Sequence, residues 1–250
     1  MESETTSSQS QAAGITPAEL WALIPVKALK LAKQRLKEYL GSLREGFTLA
    51  MFEDVLAAVA ASRAVTRVVV VTPDARIADM AKQRGITLVQ DGAAVGMNAA
   101  IGLGVTAIRG MGGQRVVILP ADLPLLTGDE LDRLAEAFAQ QGGGTDREAI
   151  GINPSTDRGG TNCFFLDAGK PFSFHYGTGS FSQHRNSAEA HQRKVIALVS
   201  PAESLDIDEP SDIGEFLAFC AHHPQFKETQ TWKFLRSCER LGPTVSNLES

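Results

Sequence analysis

The 250-residue sequence predicts an α/β protein with a mostly parallel central sheet flanked by helices. Short unbroken apolar runs such as Arg67–Thr72 and Val116–Leu119 have the length and character of strands buried on both faces. Segments between them place apolar residues on one helical face, as Leu49, Phe52, Val55, Leu56 and Val59 do. Strands and helices alternating at this spacing make βαβ units, hence parallel strands.

The elements follow in order. Leu20–Val26 is the first strand and runs into a lysine-rich segment, Lys27 to Leu36. A helix is expected from about Thr48 to Ser62, then a strand over Arg67–Thr72. Pro73 and Asp74 open a helix to Arg84, which Gly85 closes. Ile86–Gln90 is a third strand, and Met97–Ile108 reads as a helix despite Gly102 and Gly104. Val116–Leu119 is the fourth strand; Pro120 and Pro124 end it, because proline cannot donate to the ladder. Thr127, with Glu130 three residues on, is a capping box that opens the helix of Leu131, Leu134 and Phe138, and Gly142–Gly144 ends that helix. In the second half, strands Ala149–Asn153 and Asn162–Leu166 flank a polar loop, Pro154 to Thr161. A helix over Phe181–Gln192, a strand over Lys194–Ser200 and a last helix over Ser211–Ala221 complete the pattern. Residues 19–221 read as a single domain. Residues 1–18 are polar, acidic and without an apolar core segment, so they are expected to be a disordered tail and not a signal peptide. Residues 222–250 form a C-terminal extension in which Trp232, Leu235 and Cys238 share one face of a short helix.

Composition narrows the function. A net charge of −5 argues against a nucleic-acid partner, which needs a basic surface. No apolar run approaches the roughly 20 residues of a membrane span. Three scattered cysteines without CxxC spacing suit a reducing cytoplasm and offer no metal site.

Four features could carry chemistry. Asp122 stands at the carboxyl end of the fourth strand, where open α/β sheets bind ligands. Its bland alternative is a turn-forming residue between two prolines. Asp206 and Asp208 lie two apart on one side of an extended stretch before Pro210. Carboxylates with phosphate oxygens are the usual ligands of Mg²⁺; the alternative is that either aspartate caps the following helix. Lys27, Lys30, Lys33, Arg35 and Lys37 crowd the end of the first strand, suited to a polyphosphate or else to a solvated helical face. The loops Arg158–Thr161 and His175–Ser180 are glycine-bearing and could present N–H groups to an anion, as could a helix starting at Ser180. Gly102-Leu-Gly-Val-Thr-Ala107 imitates a dinucleotide fingerprint, but no strand directly precedes it, so NAD is rejected. No Ser-His-Asp set and no paired histidines for zinc are evident.

Taken together, IPVKALKLAKQRL (24–36), GMNAAI (96–101), LPADLPLL (119–126), GGTN (159–162), FHYGTGS (174–180) and LDIDEPSD (205–212) resemble one family. It is the CofC/FbiD guanylyltransferases of coenzyme F-420 biosynthesis, and the likeness spans about Trp21 to Leu217. The resemblance implies a Rossmann-like nucleotide-diphospho-sugar transferase (GT-A-like) fold and a cytoplasmic nucleotidyltransferase. It would transfer GMP from GTP to a small phospho-acid (phosphoenolpyruvate or 2-phospho-L-lactate, with 3-phospho-D-glycerate the third acid of the family) and release pyrophosphate. It further implies Mg²⁺, with Mn²⁺ as an alternative, held by Asp122, Asp206 and Asp208. Thr161, Gly177 and Ser180 match the positions that hold the acceptor, while Lys27, Lys33 and Arg35 would face phosphates with Asn98 near the nucleotide. Asp122 and Lys27 are the expected catalytic pair, and a homodimer is compatible with this reading. The rival readings are a sugar-phosphate or molybdenum-cofactor nucleotidyltransferase, whose glycine-rich loop after the first strand is missing here, and a catalytically silent binding module.

Overall fold

The computed structural model describes residues 19–90, 92, 96–155, 159–200 and 205–238. Seven strands form one sheet: β1 (Leu20–Pro25), β2 (Val65–Thr72), β3 (Thr87–Gln90), β4 (Arg115–Ile118), β5 (Ile150–Pro154), β6 (Thr161–Asp167) and β7 (Val195–Ala197). Their order is β3-β2-β1-β4-β6-β5-β7. Every neighbouring pair is parallel except the two that involve β6, which runs against β4 and β5.

The strand sequences explain the layering. Side chains alternate across a strand, so Ala22 and Ile24 of β1 enter one core while Trp21 and Leu23 enter the other. On the first face pack α2 (Arg44–Ala61), α3 (Ala75–Gln83) and α5 (Gly128–Phe138), through Phe52, Val55, Ile77, Leu131 and Phe138. On the second face lie α4 (Met97–Gly110), through Ile101, Val105 and Ile108, and α6 (Ser180–Ala190), through Ala188. Gly104 lets α4 settle on the sheet: a Cβ there would stand 2.4 Å from Leu23 and 2.8 Å from Val71. Of the two glycines that imitated a dinucleotide fingerprint, Gly104 therefore has a packing role and Gly102 makes no close contact. Thr127 caps α5 as expected, its hydroxyl accepting the Glu130 N–H at 3.1 Å.

Several boundaries depart from the sequence pattern. The helix expected from about Thr48 starts at Arg44, because Gly46 is a contact point and not a breaker. A Cβ on it would meet the Phe234 ring at 2.7 Å. The strand expected over Lys194–Ser200 is Val195–Ala197, an edge strand paired with β5 alone. The lysine segment is no continuous helix: it is two short 3₁₀ turns, Leu29–Leu31 and Gln34–Leu36, leading into one turn of helix, α1 (Lys37–Leu40). After α7 (Pro210–His222), the 3₁₀ turn Pro224–Glu228 and α8 (Gln230–Ser237) fold back onto α2. There the buried Asp54 carboxylate accepts the N–H groups of Gln230 at 2.6 Å and Thr231 at 2.9 Å. Trp232 and Leu235 face inward as their spacing predicted, in a third apolar cluster with Phe47, Ile207 and Phe216. The expected disordered tail, 1–18, lies outside the described residues. Among those described, no helix is long and apolar enough to cross a membrane.

Candidate active site

A cleft of about 780 Å³ opens at the carboxyl ends of β1 and β4. β1 contributes Pro25, Val26 and Lys27 to its wall; the loop after β4 contributes Pro120, Ala121 and Asp122. Because β6 runs the other way, its first residues, Thr161 and Asn162, arrive at the same edge. Tyr176 to Ser180, Asp206, Asp208, Lys33, Arg35 and Met97 also line it. A hollow of about 1100 Å³ lies elsewhere, between α2, the starts of β2 and β3 and the C-terminal turn. Its lining mixes apolar and polar residues, and its Arg84 is paired with Glu53 at 3.0 Å.

Asp122, Asp206 and Asp208, far apart in sequence, all line this cleft. Ile207 is fully buried and donates its N–H to the Asp122 carbonyl at 3.3 Å, which binds the 205–209 stretch to the loop after β4. With Ile207 facing the core, Asp206 and Asp208 face the cleft beside Asp122. Neither of them caps α7. Glu209 is the N-cap, and Asp212 at N3 completes a capping box by accepting the N–H groups of Asp208 at 2.8 Å and Glu209 at 2.7 Å. This leaves the two cleft carboxylates free of a capping role.

Lys33 was read as facing phosphates, and the structure inserts it among the acids. Its side chain is 6 % exposed, and Nζ pairs with Asp122 and, at 2.6 Å, with Asp208. Burial opposes the ammonium charge, but the two carboxylates outweigh it and raise its pKa. Burial likewise pushes Asp208 up, and Lys33, Arg35 and Lys27 reverse that and hold it below the usual carboxylate range. Asp206 is pushed up to about 7, first by burial and then by Asp122 and Asp208. Lys33 adopts left-handed backbone angles (φ 48°, ψ 48°), a conformation costly for a residue with a Cβ. Two long side chains hold this loop: Arg44 of α2 donates to the carbonyls of Ala32 and Lys30, and Asp74 at the start of α3 accepts the Leu29 N–H at 2.8 Å.

Carboxylate oxygens are the ligand type that a hard cation takes. Three carboxylates face a single buried ammonium, and Asp122 Oδ1 is buried with no hydrogen-bond partner. Among the described residues no set of three ligands is already gathered. Lys33 Nζ lies between Asp122 and Asp208, where a shared cation would sit. Lys27 lines the cleft and is exposed, while Arg35 pairs at 3.0 Å with Glu209 on the rim.

The predicted acceptor residues also come together. Ser180 and Thr161 are buried and joined by a hydroxyl–hydroxyl bond of 3.1 Å. Gly177 (φ 130°) and Gly179 (φ 71°) give the loop 174–180 turns that other residues would resist. The Ser180 N–H is already bonded to the Gly177 carbonyl at 3.1 Å and its hydroxyl donates to Thr161, so Ser180 supports the Thr161 hydroxyl at the cleft edge. Asn98 reaches this loop and not the cleft wall: its carboxamide accepts the Tyr176 N–H at 2.7 Å and donates to the Tyr176 carbonyl at 3.3 Å. Arg158 lies outside the described residues. Sequence reasoning missed Arg44, Asp74 and His184; only His184 had a readable signal, standing four residues after Ser180 on the same helical face.

Comparison with known proteins agrees with this architecture. Residues 20–247 match the family model described as guanylyl transferase CofC like. The phosphoenolpyruvate guanylyltransferase of Sphaerobacter thermophilus is 33 % identical over 196 residues, covering 78 % of this chain and 90 % of that protein. That of Roseiflexus castenholzii is 35 % identical over 196 residues, covering 78 % and 86 %. Among solved structures, a Desulfovibrio desulfuricans protein described as a nucleotide-diphospho-sugar transferase superposes with a TM-score of 0.71 at 16 % identity. It covers 91 % of this chain and 98 % of that one. A cytidylyltransferase from Leptospira borgpetersenii gives 0.56 at 13 %, covering 92 % and 98 %. At such identities these two establish the nucleotidyltransferase fold alone. With a family model matching nearly the whole chain and relatives above 30 % identity across most of their own length, this protein belongs to the CofC-like guanylyl transferases.

Proposed function

We propose that the protein transfers GMP from GTP to a small phospho-acid, phosphoenolpyruvate or 2-phospho-L-lactate, and releases pyrophosphate. One observation carries this reading: a single cleft joins a carboxylate–lysine cluster at one end to a buried hydroxyl pair at the other. The first end suits the triphosphate and its cation, the second a compact dianion. The relatives named as phosphoenolpyruvate guanylyltransferases favour phosphoenolpyruvate of the two acids.

The reaction requires an acceptor phosphate oxygen to attack the α-phosphorus of GTP. A phosphorus–oxygen bond forms there as the bond to the β-phosphate breaks, and pyrophosphate departs. A phosphate monoester has a second pKa of about 6, so the nucleophile is already a dianion at neutral pH and no general base is required. The obstacle is repulsion between two anions, which positioned cations and donors relieve. Asp122, Asp206 and Asp208 would hold Mg²⁺ or Mn²⁺, which when bound neutralises phosphate charge. Lys27 and Arg35 face the phosphates from the rim, and Lys33 keeps the acids in register. The Thr161 hydroxyl, supported by the Ser180 hydroxyl that donates to it, orients the acid together with N–H groups near Gly177. Asn98 supports that loop through Tyr176.

Pyrophosphate release with GTP, Mg²⁺ and each of the three family acids tests the reading. Phosphoenolpyruvate or 2-phospho-L-lactate should be turned over fastest. Dominant use of 3-phospho-D-glycerate overturns the acceptor assignment, and no release with any of them overturns the activity.

A further inference from the structure

His184 is fully buried, and nothing in the guanylyl-transfer reading uses it. Its ring stands edge-on to Phe164 and Tyr176, each 4.9 Å away, on the inner face of α6. Both ring nitrogens are engaged. Nε2 lies 2.9 Å from the backbone nitrogen of His175, and Nδ1 lies 3.0 Å from Thr161 Oγ1.

These contacts fix the tautomer. A backbone N–H can only donate, so Nε2 must be the acceptor and carry no proton. A neutral imidazole then carries its proton on Nδ1, which makes Thr161 Oγ1 the acceptor of that bond. The ring stays neutral, because a proton on Nε2 would oppose the His175 N–H. Burial, and secondarily His175, lower its pKa to about 4. The Thr161 oxygen has two lone pairs. One takes the His184 proton and the other takes the Ser180 hydroxyl at 3.1 Å. That leaves the Thr161 hydrogen unused and available to a ligand in the cleft that Thr161, Gly177 and Ser180 line.

Resting on the acceptor assignment above, we propose that His184 is a positioning residue: it orients the Thr161 hydroxyl as a donor toward the phospho-acid and at the same time holds the His175 end of the acceptor loop. One ring thus links strand β6, helix α6 and the loop 174–180. The chemistry recognised is an anionic oxygen, since a pocket in which a neutral histidine enforces donors rejects a ligand that must itself donate there. A hydrogen bond to a charged group, when lost, weakens binding by about ten- to hundredfold.

His184→Phe keeps the aromatic contacts, at slightly larger volume, but removes both bonds. It should raise KM for phosphoenolpyruvate by about ten- to hundredfold while KM for GTP moves less than about threefold. His184→Gln, whose amide oxygen and nitrogen can serve as acceptor and donor, should recover much of that loss. In a Thr161→Val background the His184→Phe change should add almost nothing, because its effect runs through the missing hydroxyl. A ¹⁵N–¹H correlation of the imidazole in the unmodified protein gives a readout without turnover and should show the Nδ1–H form. An Nε2–H signal, independent losses in the two backgrounds, or equal rises in both KM values overturns the inference. Failure of the acceptor assignment looks different: the unmodified protein would neither bind nor turn over phosphoenolpyruvate, with the Nδ1–H signal intact.

Discussion

Acidification should destabilise the protein through His184 by an amount the structure allows one to work out. In the unfolded chain the imidazole titrates near 6.5, and in the fold its pKa is lowered to about 4. Between these values the unfolded state binds more protons than the folded one, so stability falls as pH falls from about 6.5 to about 4 and is level above 6.5. At pH 5 roughly 97 % of unfolded but only about 10 % of folded molecules carry the proton. The ratio of the two binding terms is about 30, or about 2 kcal/mol. Other groups titrate in the same window, so the unmodified protein alone cannot isolate the effect. His175 and Tyr176 of the acceptor loop are the titratable neighbours that face the ring; the other rings against it, Phe164 and Phe172, carry no charge. Urea unfolding of the wild type and His184→Phe at pH 7.5 and pH 5 separates the contribution. The wild type should lose about 2 kcal/mol more than the variant over that interval. Equal losses would show that His184 is already protonated in the fold, and the tautomer argument would fall with it.

Three further outcomes are expected. Asp122→Asn should lower turnover by about two or more orders of magnitude in a pyrophosphate-release assay with the circular dichroism spectrum unchanged, since a few kcal/mol of charge stabilisation is lost. Gly104→Ala and Gly102→Ala should move the unfolding midpoint in opposite directions. At Gly104 overpacking against Leu23 and Val71 exceeds the helical gain, for a net loss of about 1 kcal/mol. At Gly102 nothing lies within 4 Å, and the gain of about 0.5–1 kcal/mol remains. Asp54→Ala should cost about 1–2 kcal/mol and raise amide exchange across Gln230–Ser237, because that carboxylate accepts the first N–H groups of α8.

Much of the frame was legible because its signals are local. The buried strands β2 and β4 announce themselves as unbroken valine and isoleucine runs, and Thr127 with Glu130 marks the start of α5 from four residues. The site's acids were legible because proline and the two-residue spacing fix their geometry: Asp206 and Asp208 share a side of an extended chain wherever that chain lies. What stayed hidden depends on distant partners. Nothing around Lys33 says that its ammonium will be buried between Asp122 and Asp208, since those acids lie far along the sequence. Asn98 sits in a motif associated with the nucleotide, yet its carboxamide is matched to the Tyr176 backbone, a partner no local pattern could supply. His184 resembles an ordinary histidine on a helical face until the reversed strand brings Thr161 beside it.

The direction of β6 is the feature on which the site depends. An apolar run such as Thr161–Asp167 is the same whichever way it is paired, so the sequence carries no sign of its orientation. Its antiparallel register sets Phe164 opposite Ile118 and Asp167 opposite Arg115, which delivers Thr161 to the edge where Asp122 leaves β4. A parallel β6 would put Asp167 at that edge and carry Thr161 to the far end of the strand. Six residues at about 3.3 Å each would separate it from the cleft by roughly 20 Å. Reversal therefore builds one cleft from two independent halves. On the proposed reading, the β1 and β4 loops hold the charges for the phosphates, and β6 with α6 holds the hydroxyls and the histidine for the acid. Each half is tied to its own helices, Arg44 and Asp74 on one side and His184 and Asn98 on the other. The shared sheet sets the distance between them. A change in the acid-binding half can then alter which phospho-acid is accepted without disturbing the carboxylates, which is how one fold can serve acceptors of different length with the same transfer chemistry.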